Sequence, residues 1–272
     1  MKDRTLLLVG VIAIILVISG IWCIKTNKCP FLILPSPSPS PESTPVNLLP
    51  MAIKSISESD NFFNIRVEYP QFNTVDPAFN EKITKLIETS ILDFKKESKD
   101  NWEAIKATAP KESPLPENPT EPFDFQVSWN PVQINDKYLS FVIDIFYYTG
   151  GASGNEEIHA FNYDIANKKE IAIIDFLNSS QESLQKLSQL AIQDIDYQLQ
   201  SRGVEVDDSL KQMIEQGAGP NPENYKNFNF KYNALFVYFQ RYQVAPGSFG
   251  SITMSFYKSD LETNSIKSDY LK

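Results

Sequence analysis

Cysteine and histidine are nearly absent from this 272-residue sequence. The two cysteines, Cys23 and Cys29, both lie in the first 29 residues. Residues 30–272 therefore carry no disulfide framework and no thiolate metal site. One histidine, His159, serves the whole chain, which excludes a multi-histidine zinc centre. Neither a metal nor a cofactor is expected. Positive charge is also short: 25 Lys and Arg stand against 34 Asp and Glu, a net −9. Residues 1–29 hold Lys2, Arg4, Lys25 and Lys28 against Asp3, or +3, so residues 30–272 carry −12. Such an exterior disfavours nucleic acid and anionic lipid, and it favours basic partners.

Apolar sequence is present in one long run. Leu6 to Ile24 reads LLLVGVIAIILVISGIWCI, without a charge. At 1.5 Å per residue this is long enough to cross a hydrocarbon core of roughly 30 Å. Ile21 and Trp22 precede Cys23, where a lipoprotein needs small residues. The same bulky residues make a poor cleavage site, so an uncleaved signal anchor is preferred to a removed signal peptide. The expected order is a cytoplasmic tail (1–5), a transmembrane helix (6–24) and a juxtamembrane linker (25–55). An extracytoplasmic domain (56–262) and a C-terminal tail (263–272) complete the chain. Within the linker, PSPSPSPESTPVNLLP (35–50) favours polyproline II, a stiff spacer. About 220 residues lie beyond it, enough for one large domain with a real core.

The domain reads as α+β. Phe63, Ile65, Val67 and Tyr69 alternate with polar residues and predict a strand closed by Pro70. Asp76-Pro77 opens a helix whose stripe is Phe79, Ile83, Leu86, Ile87, Ile91 and Phe94, with Lys95-Lys96 at its end. Five prolines between 110 and 122 predict that 98–122 is loop. Strands are expected at 123–134, 139–147, 158–164 and 170–176, as an antiparallel meander. Ser179 and Glu182 have capping-box spacing before a second long helix, to Gln200, and a shorter helix spans Asp207 to Gln216. Three strands, 228–232, 235–244 and 251–257, close the chain. The expectation is an antiparallel sheet meander with two long helices packed on it, preceded by one transmembrane helix.

Several stretches resemble a known bacterial domain. They are YTGGASG (148–154), FNYD (161–164), IAIIDFL (171–177), FVYFQRYQVAPGSFG (236–250) and FYKSDL (256–261). They are similar to the extracytoplasmic domain of unknown function shared by RsiV-like lysozyme-sensing anti-sigma factors and PdaC-like peptidoglycan deacetylases. The family turn commonly reads GGAHG, and here Ser153 stands for the His. Its second loop is commonly APY-like, and here Gly247 comes after Ala245-Pro246. Five residues before the span hold no sigma-binding domain, and no histidine-bearing catalytic domain comes after it. The resemblance therefore implies the binding module without either effector.

The candidate binding residues are Gly150, Gly151, Ser153 and Gly154 in one turn and Ala245, Pro246, Gly247, Ser248 and Phe249 in another. The first turn lacks the succeeding helix that a phosphate cradle needs, so positive φ explains its glycines better. In the second, Phe249 is either an exposed anchor or a buried hairpin residue. No catalytic residue is assigned. The expected function is a membrane-anchored binding module for a basic secreted or cell-wall protein such as lysozyme. Two alternatives stand beside it. One is a glycan hydrolase using Asp144, Glu156, Glu157 and His159, since paired carboxylates about 5–10 Å apart can cleave a glycosidic bond. The other is a structural envelope protein without a soluble ligand.

Overall fold

The computed structural model describes residues 51–151 and 153–271. The apolar run 6–24, both cysteines and the proline-serine stretch lie outside the described residues. Among the described residues, no helix is long and apolar enough to cross a membrane.

The described residues build two sheets rather than one meander. The first has six strands in sequence order: β1 (Met51–Ser59), β2 (Phe63–Phe72), β3 (Phe123–Ile134), β4 (Tyr138–Tyr148), β5 (Asn155–Asp164) and β6 (Lys169–Glu170). It is mixed, because β2 and β3 run parallel, with Phe63 opposite Phe123 and Val67 opposite Val127. Parallel neighbours need a crossover, and here helix α1 (Pro77–Thr108) supplies it. Strand β1 lies partly inside the expected linker, since it pairs with β2 from Met51 opposite Phe72 onward.

Helix α1 begins where expected, with Asp76 accepting from the Ala78 N–H at 2.9 Å and Pro77 in the first turn. It does not end at Lys95-Lys96. The stripe runs on through Ser98 and Trp102, four residues apart and both buried, and the helix reaches Thr108. Indole Nε1 of Trp102 donates to the Glu117 carbonyl at 2.8 Å, so the proline-rich segment is tied to the helix that precedes it. The buried stripe of α1 packs on Ile65, Phe125, Leu139, Phe141, Ile143 and Ile145 of the sheet.

After β6 the expected strand 170–176 is a short helix, α2 (Ile173–Phe176), which buries Ile173 and Phe176. Helices α3 (Gln181–Ser201) and α4 (Asp208–Ala218) come next. Ser180, not Ser179, caps α3, accepting from the Ser183 N–H at 3.1 Å. The second sheet is β7 (Phe228–Lys231), β8 (Ala234–Phe239) and β9 (Ile252–Tyr257), all antiparallel. Leu184, Leu187, Ala191, Ile195 and Leu199 of α3 share a core with Phe230, Val237, Phe239 and Met254 of this sheet. A last helix, α5 (Lys258–Thr263), leads to Ile266 and Leu271, which are buried in the same core. The expected C-terminal tail, 263–272, is packed as far as Leu271.

A buried polar joint holds the sheets together. Ser140 Oγ donates to Asn162 Oδ1 at 2.7 Å and accepts from the Phe230 N–H at 3.1 Å. Asn162 donates to the Phe228 carbonyl at 2.6 Å, and Asn229 donates to the Phe141 carbonyl at 3.1 Å. Removing one partner strands the others in a low-dielectric interior. Asn229→Leu is expected to cost about 2–3 kcal/mol, seen as a lower urea midpoint with an unchanged m-value.

Candidate functional site

The two candidate turns are built differently. Gly150 and Gly151 take φ of +98° and +102°, which a side chain would resist. Gly154 lies so close to Phe146 that a Cβ would sit 2.5 Å from its ring. The other turn comes after β8, which stops at Phe239 instead of continuing to Val244. Residues 240–246 form a turn, and Gly247–Phe249 is a single 3-10 turn. Pro246 and Ser248 are exposed, while Ala245 and Gly247 are buried. Phe249 is half-buried and packs on the second core, so it is not a free anchor.

Arg241 brings these turns together. Its Nε donates to the Gly247 carbonyl at 2.8 Å. One terminal nitrogen donates to the Gly154 carbonyl at 3.0 Å and to Asn155 Oδ1 at 3.3 Å. The planar guanidinium presents several donors in fixed directions, so one side chain can fix two loops at once. Gln243 pins the same turn from behind, donating to the Gly217 and Asn224 carbonyls, each at 2.9 Å. Gly217 admits this approach, since a Cβ there would lie 1.9 Å from the Gln243 carbonyl oxygen.

The edge of β5 runs beside this clamp. β6 covers β5 only at Tyr163 and Asp164. Side-chain amides replace a strand over the rest. Gln240 accepts from the Ile158 N–H at 3.2 Å and donates to the Ile158 carbonyl. Asn227 accepts from the Ala160 N–H at 3.3 Å.

Along that edge lies a cleft of ≈ 440 Å³, lined by Tyr147, Glu157, His159, Lys226, Arg241 and Tyr242 among others. A second hollow of ≈ 490 Å³, walled by Lys82, Lys85, Leu86 and Thr89 of α1, shares His159, Lys226 and Asn227 with it. The two form one groove between α1 and the second sheet.

Glu157 is the structured acid of the groove. His159 Nε2 lies 3.1 Å from its Oε2, and the Tyr147 hydroxyl donates to its Oε1 at 3.3 Å. An ionised carboxylate only accepts, so His159 is the donor. The hydrogen bond from His159 comes first in holding Glu157 below the usual carboxylate range. Burial, then the charge of Glu157, pushes Tyr147 up to about 12. Glu156 is exposed at the mouth. Asp144, raised by burial and hydrogen-bonded by Asn130, stands opposite Ile158 on the other face of the sheet. The raised and the lowered carboxyl thus lie on opposite faces and do not flank a common bond. Among the described residues, no three His, Cys, Asp or Glu gather as a metal site.

Known proteins divide the chain at this groove. Residues 56–156 match the family model described as deacetylase PdaC, and residues 175–258 match a family of unknown function, DUF3298. The first segment thus resembles the PdaC model and the second resembles the DUF3298 family. Arg241, in the second, grips Gly154 and Asn155 in the first. A relative, the peptidoglycan-N-acetylmuramic acid deacetylase PdaC of Bacillus subtilis, is 26% identical over 219 residues. That match covers 80% of this chain and 42% of the deacetylase. A DUF3298-family protein of Bacteroides fragilis shares the fold at a TM-score of 0.52 and 15% identity, over 80% of this chain and 93% of that one. Another, from Pseudomonas aeruginosa, gives 0.48 and 14%, over 80% and 94%.

This geometry makes two outcomes testable. Arg241→Ala should cost about 2 kcal/mol, since hydrogen bonds to a charged group are worth more than neutral ones. It should also speed amide exchange in residues 153–158 and 247–250 while leaving α3 protected. The Glu157 carboxyl, depressed in the folded state, stabilises the fold above its ordinary value of 4.5. That stability fades as pH falls. Glu157→Gln should therefore lower the denaturant midpoint at about pH 7, and the gap should narrow as pH falls below the ordinary carboxyl value of 4.5.

Proposed function

We propose that this chain is a cell-envelope binding module that recognises a basic, lysozyme-type protein through the rim formed by its two turns. The clamp of Arg241 on both turns carries this reading. A rim that is rigid before contact loses little entropy on binding. Ser153, Pro246 and Ser248 project from it, and the charge of −12 over residues 30–272 suits a basic partner. The resemblance to lysozyme-sensing domains supports the partner, and the PdaC relative supports a place at the cell wall. Residues 6–24 would anchor the chain, with its bulk on the extracytoplasmic side and the proline-serine stretch as the spacer.

The test is calorimetric titration of the chain with lysozyme at low and at physiological salt. Micromolar or tighter binding is expected at both, weaker at the higher salt. Ser153→Arg and Ser248→Arg, which place positive charge on the rim, should each weaken it about tenfold, or about 1.4 kcal/mol. Absence of heat at micromolar concentrations in both buffers refutes the lysozyme reading.

A further inference from the structure

The groove has a chemistry opposite to the exterior of the chain. Its lysines come from three places: Lys82 and Lys85 from α1, and Lys226 from the turn before β7. Lys82 pairs with Glu170. Among the described residues, neither Lys85 nor Lys226 has a carboxylate partner. Arg241 spends its donors on carbonyl oxygens and keeps its charge uncompensated. On the acid side, Glu157 is held by His159 and Tyr147, and Glu156 stands at the mouth. A groove with two unpaired ammonium groups, in a chain of net −9, attracts an anion.

Tyr242 adds a second feature. It is 62% exposed. Its backbone takes φ +68°, a left-handed conformation that disfavours any residue with a Cβ. Strain of this kind persists where the surrounding structure imposes it, and it gathers at ligand sites. The ring is held by the Arg241 guanidinium, 5.3 Å from its centre, and by Gly247, where a Cβ would lie 2.1 Å from the ring. The result is a fixed aromatic plate at one end of the groove. Lys226 lines both hollows and Lys85 the farther one. Amide side chains of Asn155 and Asn227 line the floor.

We propose that the groove binds an anionic saccharide chain, with a sugar ring on Tyr242 and its acid groups on Lys226 and Lys85. A flat ring offers area to the apolar face of a sugar, and hydrated ammonium groups take carboxylate or phosphate without demanding one geometry. The two hollows, ≈ 440 and ≈ 490 Å³, fall in the size range of small-molecule sites and share His159, Lys226 and Asn227. This site adjoins the protein-binding rim through Arg241 and Gly247, and it does not depend on a lysozyme partner.

Calorimetry with three probes tests it. They are a tetrasaccharide alternating N-acetylglucosamine with lactyl-bearing N-acetylmuramic acid, neutral chitotetraose, and glycerol-phosphate oligomers glycosylated with N-acetylglucosamine. At least one acidic probe should bind ten or more times tighter than chitotetraose, and which one binds distinguishes carboxylate from phosphate. Lys226→Gln and Lys85→Gln should each weaken that binding several-fold and flatten its salt dependence. Tyr242→Gly removes the ring and relieves the left-handed strain, so it should retain cooperative unfolding while losing tenfold or more in affinity. The proposal falls if neither acidic probe binds, if chitotetraose binds equally well, or if the lysine variants bind unchanged.

Discussion

The structure depends on closing the edge of β5 without a strand. β4 covers one side of β5, but β6 reaches only its last two residues. A bare edge of this length exposes unpaired N–H and C=O groups and invites another chain to pair. Here Gln240 and Asn227 take the place of a neighbouring strand, each offering an amide to the backbone of Ile158 or Ala160. Both come from the second sheet or its approach. Edge closure therefore couples the sheets, and the buried cluster of Ser140, Asn162 and Asn229 continues the same coupling inward. Polar contacts of this kind are directional, so they fix the relative position of the sheets more tightly than apolar packing alone.

That coupling places the groove. Once Gln240 is bound to β5, the next residue, Arg241, must lie beside the turn that opens the same strand. The chain then reverses, held by Gln243 against α4, and returns to β9 through Gly247. Neither matched segment contains the groove alone. Residues 56–156 supply its α1 wall and the first residues of β5, and residues 175–258 supply Lys226, Gln240, Arg241 and Tyr242. The two segments thus wall one groove.

Much of this was legible in the sequence, and the failures have specific causes. The Asp76-Pro77 start and the stripe from Phe79 to Phe94 marked α1 correctly, because caps and 3.6-residue periodicity are local signals. Its end was missed because a serine, Ser98, occupies a stripe position and because Lys95-Lys96 imitates a terminus. Only the tertiary contact of Trp102 with the proline-rich segment shows that the helix continues. The parallel pairing of β2 with β3 was hidden for the same reason, since a shorter helix and a long loop do not imply a crossover. In the site, both turns could be named from their Gly and Pro residues. Arg241 could not, because the apolar run Leu235 to Val244 reads as one strand, in which an arginine is simply an outward residue. Its role arises from the break at Gln240, where a glutamine bonds to another strand's backbone.

The charge distribution argues for selectivity. A chain of net −9 repels polyanions over most of its surface, and at a Debye length near 8 Å that repulsion reaches beyond direct contact. Among the described residues, one exception is a concave strip in which Glu157 is hydrogen-bonded by its neighbours while Lys85 and Lys226 have no carboxylate partner. Fields in a low-dielectric cleft are focused rather than averaged. An anionic chain approaching elsewhere is turned away, and one entering the groove meets cations against a rigid aromatic plate. An exterior that would draw the proposed basic partner to the rim would also confine an acidic polymer to one track, so the two proposed ligands would not compete for the same charges.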